Sequence, residues 1–298
     1  MESQTLDTRL GPLAWRSSGD GPPLVFFAGA LANHELWRDV VTALSDRYRC
    51  VTVDLPLGGH PWPLAPGADR SATSLARLLP DCLELLDVED ATVVANDTAG
   101  GLLLLSLASG QPALARVGRL VLTNCESYDQ FPPDSLRKAS AASRAVPWLV
   151  GGMLRLQLWL QSRSPAVRRR GLASVVATEL DPERAAALAG PARRDPRVVG
   201  DLVAAMAGFR PELLTDAARE IPRFDRPVLL VWGEECRFFP VAQARRLAAD
   251  FPRATLITVP GARTWTPVDN PAAVAAAIAD FVPANVARHQ RFVRPQNI

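Results

Sequence analysis

The chain has 298 residues, of which 48% are hydrophobic, and a formal net charge of +2. It is long enough to bury one sizeable core and too weakly charged to present a nucleic-acid surface. Cys50, Cys82, Cys125 and Cys236 are scattered without metal-ligand spacing and read as reduced core thiols, so no metal or cofactor is expected. Met1-Glu2-Ser3-Gln4 lacks the basic and apolar regions of a leader, and no apolar run reaches the ~20 residues of a membrane span. The expectation is a cytoplasmic protein with a small-molecule partner, no nucleic acid and no membrane, the homodimer being left open.

In chain order, residues 13–16 read as an edge strand, turning through Gly19-Asp20-Gly21-Pro22 into a strand at 24–27. Residues 35–46 have helical periodicity, with Leu36, Trp37, Val40, Val41 and Leu44 on one face. A buried strand is predicted at 49–54, then a Pro/Gly-rich loop holding His60 and Trp62, then an amphipathic helix over 71–86. A β-branched run from Ala91 and a short strand at 119–123 follow. From Tyr128 to about Pro222 the pattern is helical without strands: an apolar helix around Trp148 to Leu160, a basic cluster over 163–170 that reads as a solvated face, and a helix at 198–209. Strands return at 228–231 and 254–259, with helices at 241–251 and 271–281. The basic tail from Pro283, including His289, reads as loosely attached and non-catalytic. Strands alternating with helices imply a parallel, doubly wound sheet that binds ligands at the C-terminal strand ends, where Asp54, His60, Asp97 and Glu126 fall.

The chemically informative stretch is Thr92-Val93-Val94-Ala95-Asn96-Asp97-Thr98-Ala99-Gly100-Gly101. A strand feeds a turn of small residues and a helix starts at once, with Asp97 at the tip. Small residues two before and two after a reactive side chain let the backbone bend sharply and lift that side chain out of the sheet. The helix N-terminus beneath favours a carboxylate. The other reading of Asp97 is a simple helix N-cap.

With Pro23-Leu24-Val25-Phe26-Phe27-Ala28-Gly29-Ala30, Leu36-Trp37-Arg38, Cys50-Val51-Thr52-Val53-Asp54-Leu55-Pro56, Pro227 to Gly233, Pro260-Gly261-Ala262 and Asp269-Asn270-Pro271, the chain resembles α/β-hydrolase-fold proteins over almost its whole length. The elbow aspartate places the resemblance near the epoxide hydrolase and haloalkane dehalogenase branch. It implies a core of residues 1–127 and 223–298 with a helical cap inserted at 128–222, and Trp148 and Trp159 either lining the substrate pocket or packing cap against core. It makes Asp97 the nucleophile that forms an alkyl–enzyme ester, with the N–H groups of Ala30 and Thr98 as oxyanion hole.

The chain departs from that pattern where the ester should be hydrolysed. The histidine position falls on Thr264 and the acid position on Cys236, so the triad is degenerate; a general base is typically worth ~10²–10⁴-fold. His34, His60 and Glu126 are the candidate replacements, Glu126 because a carboxyl close to Asp97 would have a raised pKa and share its proton work. The cap tyrosine pair of epoxide hydrolases is reduced to Tyr128, and the halide-holding positions of dehalogenases are Thr98 and Ala30. Three readings follow: a hydrolase on a small apolar substrate with an incomplete triad; a lyase, cyclase or isomerase in which Asp97 or Glu126 moves protons; or an inactive ligand-binding homologue.

Overall fold

The computed structural model describes residues 2–283; the expectations for the tail and His289 lie outside the described residues. Eight strands form one sheet: β1 (Gln4–Thr8), β2 (Gly11–Ser18), β3 (Pro23–Phe27), β4 (Arg49–Val53), β5 (Ala91–Asp97), β6 (Val117–Cys125), β7 (Val228–Gly233) and β8 (Ala254–Val259). Their spatial order is β1-β2-β4-β3-β5-β6-β7-β8. The β1–β2 and β2–β4 pairs are antiparallel and the rest parallel.

The parallel strands β3, β4, β5 and β7 read as nearly unbroken apolar runs because helices cover both faces. Alternate residues serve opposite layers. Val25, Phe27, Val93, Leu122 and Leu230 pack on one side beneath α2 (Ala72–Leu85) and α3 (Thr98–Leu107). Leu24, Phe26, Val94, Val121 and Leu229 pack on the other, against α1 (Arg38–Leu44). Ser71 caps α2, its side chain accepting from the Ser74 N–H.

Between β6 and β7 the chain is helical: α4 (Arg137–Ala145), α5 (Pro147–Arg163), α6 (Pro165–Leu172), α7 (Pro182–Arg194), α8 (Pro196–Gly208) and α9 (Pro211–Ala217). After β7 come α10 (Val241–Asp250), β8, a short α11 (Thr266–Asp269) and α12 (Pro271–Phe281). Among the described residues no helix is long and apolar enough to cross a membrane.

Two polar clusters fasten α7 and α8 to the segments that flank β4. His60 Nδ1 accepts from the Gly58 N–H, so its Nε2 donates to Asp201 of α8 at 3.1 Å. Asp201 also accepts from the Leu64 N–H and from Arg70 Nε, at 2.9 and 2.5 Å. These three donors hold the Asp201 carboxyl below its ordinary range, overcoming its burial. His60 is therefore a structural clasp. Arg184 of α7 bonds Asp39 at 2.6 Å and the Glu35 carbonyl at 2.7 and 3.0 Å.

Two local expectations shift. Strand β1 escapes a pattern search because only Leu6 in it is buried. The helix predicted from residue 35 begins as a 3-10 turn, His34–Trp37, capped by Asn33.

Candidate active site

Strand β5 ends in a sharp elbow. Asp97 has φ 55° and ψ −133°, a region sparsely populated by non-glycine residues, and α3 starts at Thr98. The bend needs close packing on three sides. A Cβ at Gly29 would lie 2.6 Å from Asp97 Cβ and 2.7 Å from Thr98 N. One at Gly100 would lie 2.3 Å from Cys125 Cβ, and one at Gly101 2.9 Å from Glu126 Cβ. Only glycine lets the early loop and the first turn of α3 close on the elbow. Asp97 is partly exposed while the rest of β5 is buried, and Ala30 opposite is also partly exposed.

The neighbouring strand turns with it. Asn96 faces Thr123 and Asp97 faces Cys125, so Asn124 is an extra residue, with φ 29°. Such a bulge re-aims the side chains around it. Asn124 turns to β7, accepting from the Gly233 N–H at 2.8 Å and from the Thr266 hydroxyl at 2.5 Å. Glu126 comes to lie against the elbow, where the Thr98 hydroxyl donates to its Oε1 at 3.0 Å. Glu126 is buried and its Oε2 has no hydrogen-bond partner.

Two largely desolvated carboxyl groups thus meet at the elbow. Burial pushes Asp97 up to about 7, against the Thr98 N–H, which favours its ionised form. Burial first, then the Asp97 charge, pushes Glu126 well above the carboxylate range. Like charges brought together out of water cannot both ionise cheaply, so the pair retains a proton at neutral pH.

The expected residues distribute unequally. Asp97, Thr98, Glu126 and Ala30 gather at the elbow. Cys236 and Thr264 meet each other, Sγ to Oγ1 3.2 Å, both buried, and the Thr264 carbonyl accepts from Asn96 Nδ2 at 2.8 Å. Burial pushes the Cys236 thiol up.

The His34 ring lies between Asp54, 3.4 Å from Nδ1, and Glu35, 3.3 Å from Nε2, and its Nδ1 makes no hydrogen bond. Its backbone N–H donates to Asp54 at 2.7 Å. Asp54 is in turn held by Arg16 at 2.9 Å.

Trp148 and Trp159 do not pack the helical insertion onto the core. They are 76% and 49% exposed, on the outer face of α5. Trp148 borders a surface groove with Arg155, Val199 and Val203.

Sequence reasoning missed Asn96 and Asn124, which tie β5 and β6 to the Thr264 loop and to β7. Two asparagines at the C-terminal ends of buried parallel strands are the signal that would have marked them. Among the described residues no three His, Cys, Asp or Glu side chains gather to hold a metal ion.

The fold and the elbow define an α/β scaffold with a carboxylate at the tip of the turn between β5 and α3. The α/β hydrolase fold family matches residues 22–271, and the chain belongs to that family. "Haloalkane dehalogenase 2" of Mycobacterium tuberculosis is 29% identical over 281 residues, 93% of each chain. An α/β hydrolase fold protein from Burkholderia ambifaria superposes with a TM-score of 0.74 at 25% identity, over 93% of this chain and 97% of that one. A haloalkane dehalogenase from Bradyrhizobium elkani does so with a TM-score of 0.72 at 20% identity, over 94% and 97%.

Proposed function

We propose that this protein hydrolyses a small, largely apolar substrate with an electrophilic saturated carbon, an alkyl halide or epoxide, with Asp97 as nucleophile and Glu126 in place of the missing histidine. The observation that carries the reading is the Asp97–Thr98–Glu126 cluster beside a triad slot filled by Thr264 and Cys236.

The free pair holds one proton, Asp97 ionised and Glu126 neutral. Attack by the Asp97 carboxylate on carbon forms an ester and expels the leaving group. Esterification removes the Asp97 charge, the lesser of the two causes that raise Glu126, and Glu126 gives its proton to the leaving group. The Glu126 carboxylate then takes a proton from water as the hydroxide adds to the ester carbonyl. The alcohol departs with the second proton, restoring ionised Asp97 and neutral Glu126. The N–H groups of Thr98 and Ala30 stabilise the oxyanion formed on the way.

A second reading is favoured by one observation: an Asp97 pKa of about 7 suits a proton carrier as well as a nucleophile. It is the lyase or isomerase alternative, in which no ester forms. The deciding experiment measures halide and alcohol release from a haloalkane panel, and diol from an epoxide panel, with wild type, Asp97→Asn and Glu126→Gln. Turnover lost in Asp97→Asn and reduced ~10²–10⁴-fold in Glu126→Gln supports the proposal. Turnover unchanged in Glu126→Gln overturns it.

A further inference from the structure

Helix α5 is apolar on two opposite faces, and only one of them is packed. Val150, Leu154, Leu158 and Gln161 turn inward, with Leu158 and Val150 joining Val199 and Val203 of α8. Opposite them, at helical spacing, lies a bare stripe of Trp148, Leu149, Met153, Leu156, Trp159 and Leu160, each between 41% and 76% exposed. A helix apolar on all sides is ordinarily covered on all sides. Scattered exposed apolar residues need no explanation, but six large ones on one helix face mark an interaction surface.

The surrounding charge selects the occupant. Between Asp134 and Glu179 the chain has eight arginines and lysines and no acidic residue. Among the described residues only Arg137 of these has an ion-pair partner, Asp134. Arg163 sits at the end of the stripe with its guanidinium 5.6 Å from the Trp159 ring centroid. A second copy laid on the same face would set these bases against their own kind. The chain beyond residue 283, with Arg288, Arg291 and Arg294 and no acid, matches the face no better. An anionic lipid surface complements both properties: its acyl boundary takes the tryptophans and leucines, and its headgroups take the arginines.

We propose that the outer face of α5 with its flanking arginines docks on anionic bilayers, the helix lying in the membrane plane. This departs from the expectation of no membrane partner, which rested on the lack of an apolar run long enough to span a bilayer. It does not depend on the chemistry at Asp97.

The test is co-sedimentation of the full chain with vesicles of phosphatidylcholine containing phosphatidylglycerol, and with phosphatidylcholine alone, with sedimentation velocity without lipid. The structure predicts binding to the anionic vesicles that falls with added salt. Trp148→Ala combined with Trp159→Ala should abolish it. Arg155→Gln combined with Arg163→Gln should weaken it by about thirtyfold, from about fivefold per charge. Circular dichroism of both variants should match wild type, since these side chains are exposed. No binding to anionic vesicles, equal binding to both vesicle types, equal binding by the tryptophan variant, or a lipid-free dimer that this variant dissociates would each overturn the proposal.

Discussion

Replacing Asp97 by asparagine should make the protein more stable at neutral and alkaline pH, although the residue is the nucleophile of the proposed reaction. The carboxyl is raised from 3.8 to about 7 by burial. At about 1.4 kcal/mol per unit, three units set an upper bound of about 4 kcal/mol on the cost of its ionisation. Its solvent-facing edge screens part of that, leaving an expected gain of about 2 kcal/mol for Asp97→Asn. The sign follows from proton linkage. Below about pH 4 Asp97 is protonated in both folded and unfolded chains, and its contribution to stability is complete. As pH rises toward about 7 the unfolded chain releases the proton while the native state keeps it, so stability falls. Above that the loss is complete. Asparagine never ionises and keeps an acceptor for the Thr98 N–H. Urea unfolding followed by circular dichroism across this range should show the two proteins diverging as pH rises. Glu126→Gln should also stabilise where Glu126 ionises, and the double variant should gain less than the sum, because Asp97→Asn already removes the charge that raises Glu126. An Asp97→Asn protein less stable than wild type at about pH 8, or a difference that does not change with pH, would refute the reasoning.

Other consequences are as direct. Gly29→Ala should destabilise by about 2–3 kcal/mol in urea titrations, because the new methyl meets the Asp97 Cβ and the Thr98 backbone nitrogen. Asp201→Ala should cost about 3–5 kcal/mol by leaving His60 and Arg70 without their shared carboxylate. Because the native state holds the Asp201 carboxyl low, its contribution is present at neutral pH and should be lost as pH falls through that lowered value. Thr264→His combined with Cys236→Asp should raise turnover of a haloalkane by ~10²-fold over Glu126→Gln alone when added to it, at a stability cost because both positions are buried.

Most of the sheet is legible in the sequence because its parallel strands are buried on both faces and read as continuous apolar runs between turn signals. The elbow is legible because Ala95, Ala99 and two glycines around Asp97 have few other uses. What escapes depends on three-dimensional choice. The neighbours of the His34 ring, Asp54 and Glu35, are brought up by β4 and the 3-10 turn, which no sequence spacing shows. Trp148 and Trp159 have a periodicity that fits inward and outward faces equally, since α5 is apolar on both. The bulge at Asn124 leaves no trace in hydrophobic pattern, yet it sends one side chain to β7 while Glu126 meets Thr98.

The central claim is a covalent bond between substrate and Asp97 whose release needs Glu126. Intact-mass spectrometry with peptide mapping, after brief exposure of wild type and Glu126→Gln to a haloalkane and an epoxide, tests it. The account predicts an alkyl adduct on Asp97 that accumulates in Glu126→Gln and turns over in wild type. An adduct absent from both proteins, or equally persistent in both, contradicts it.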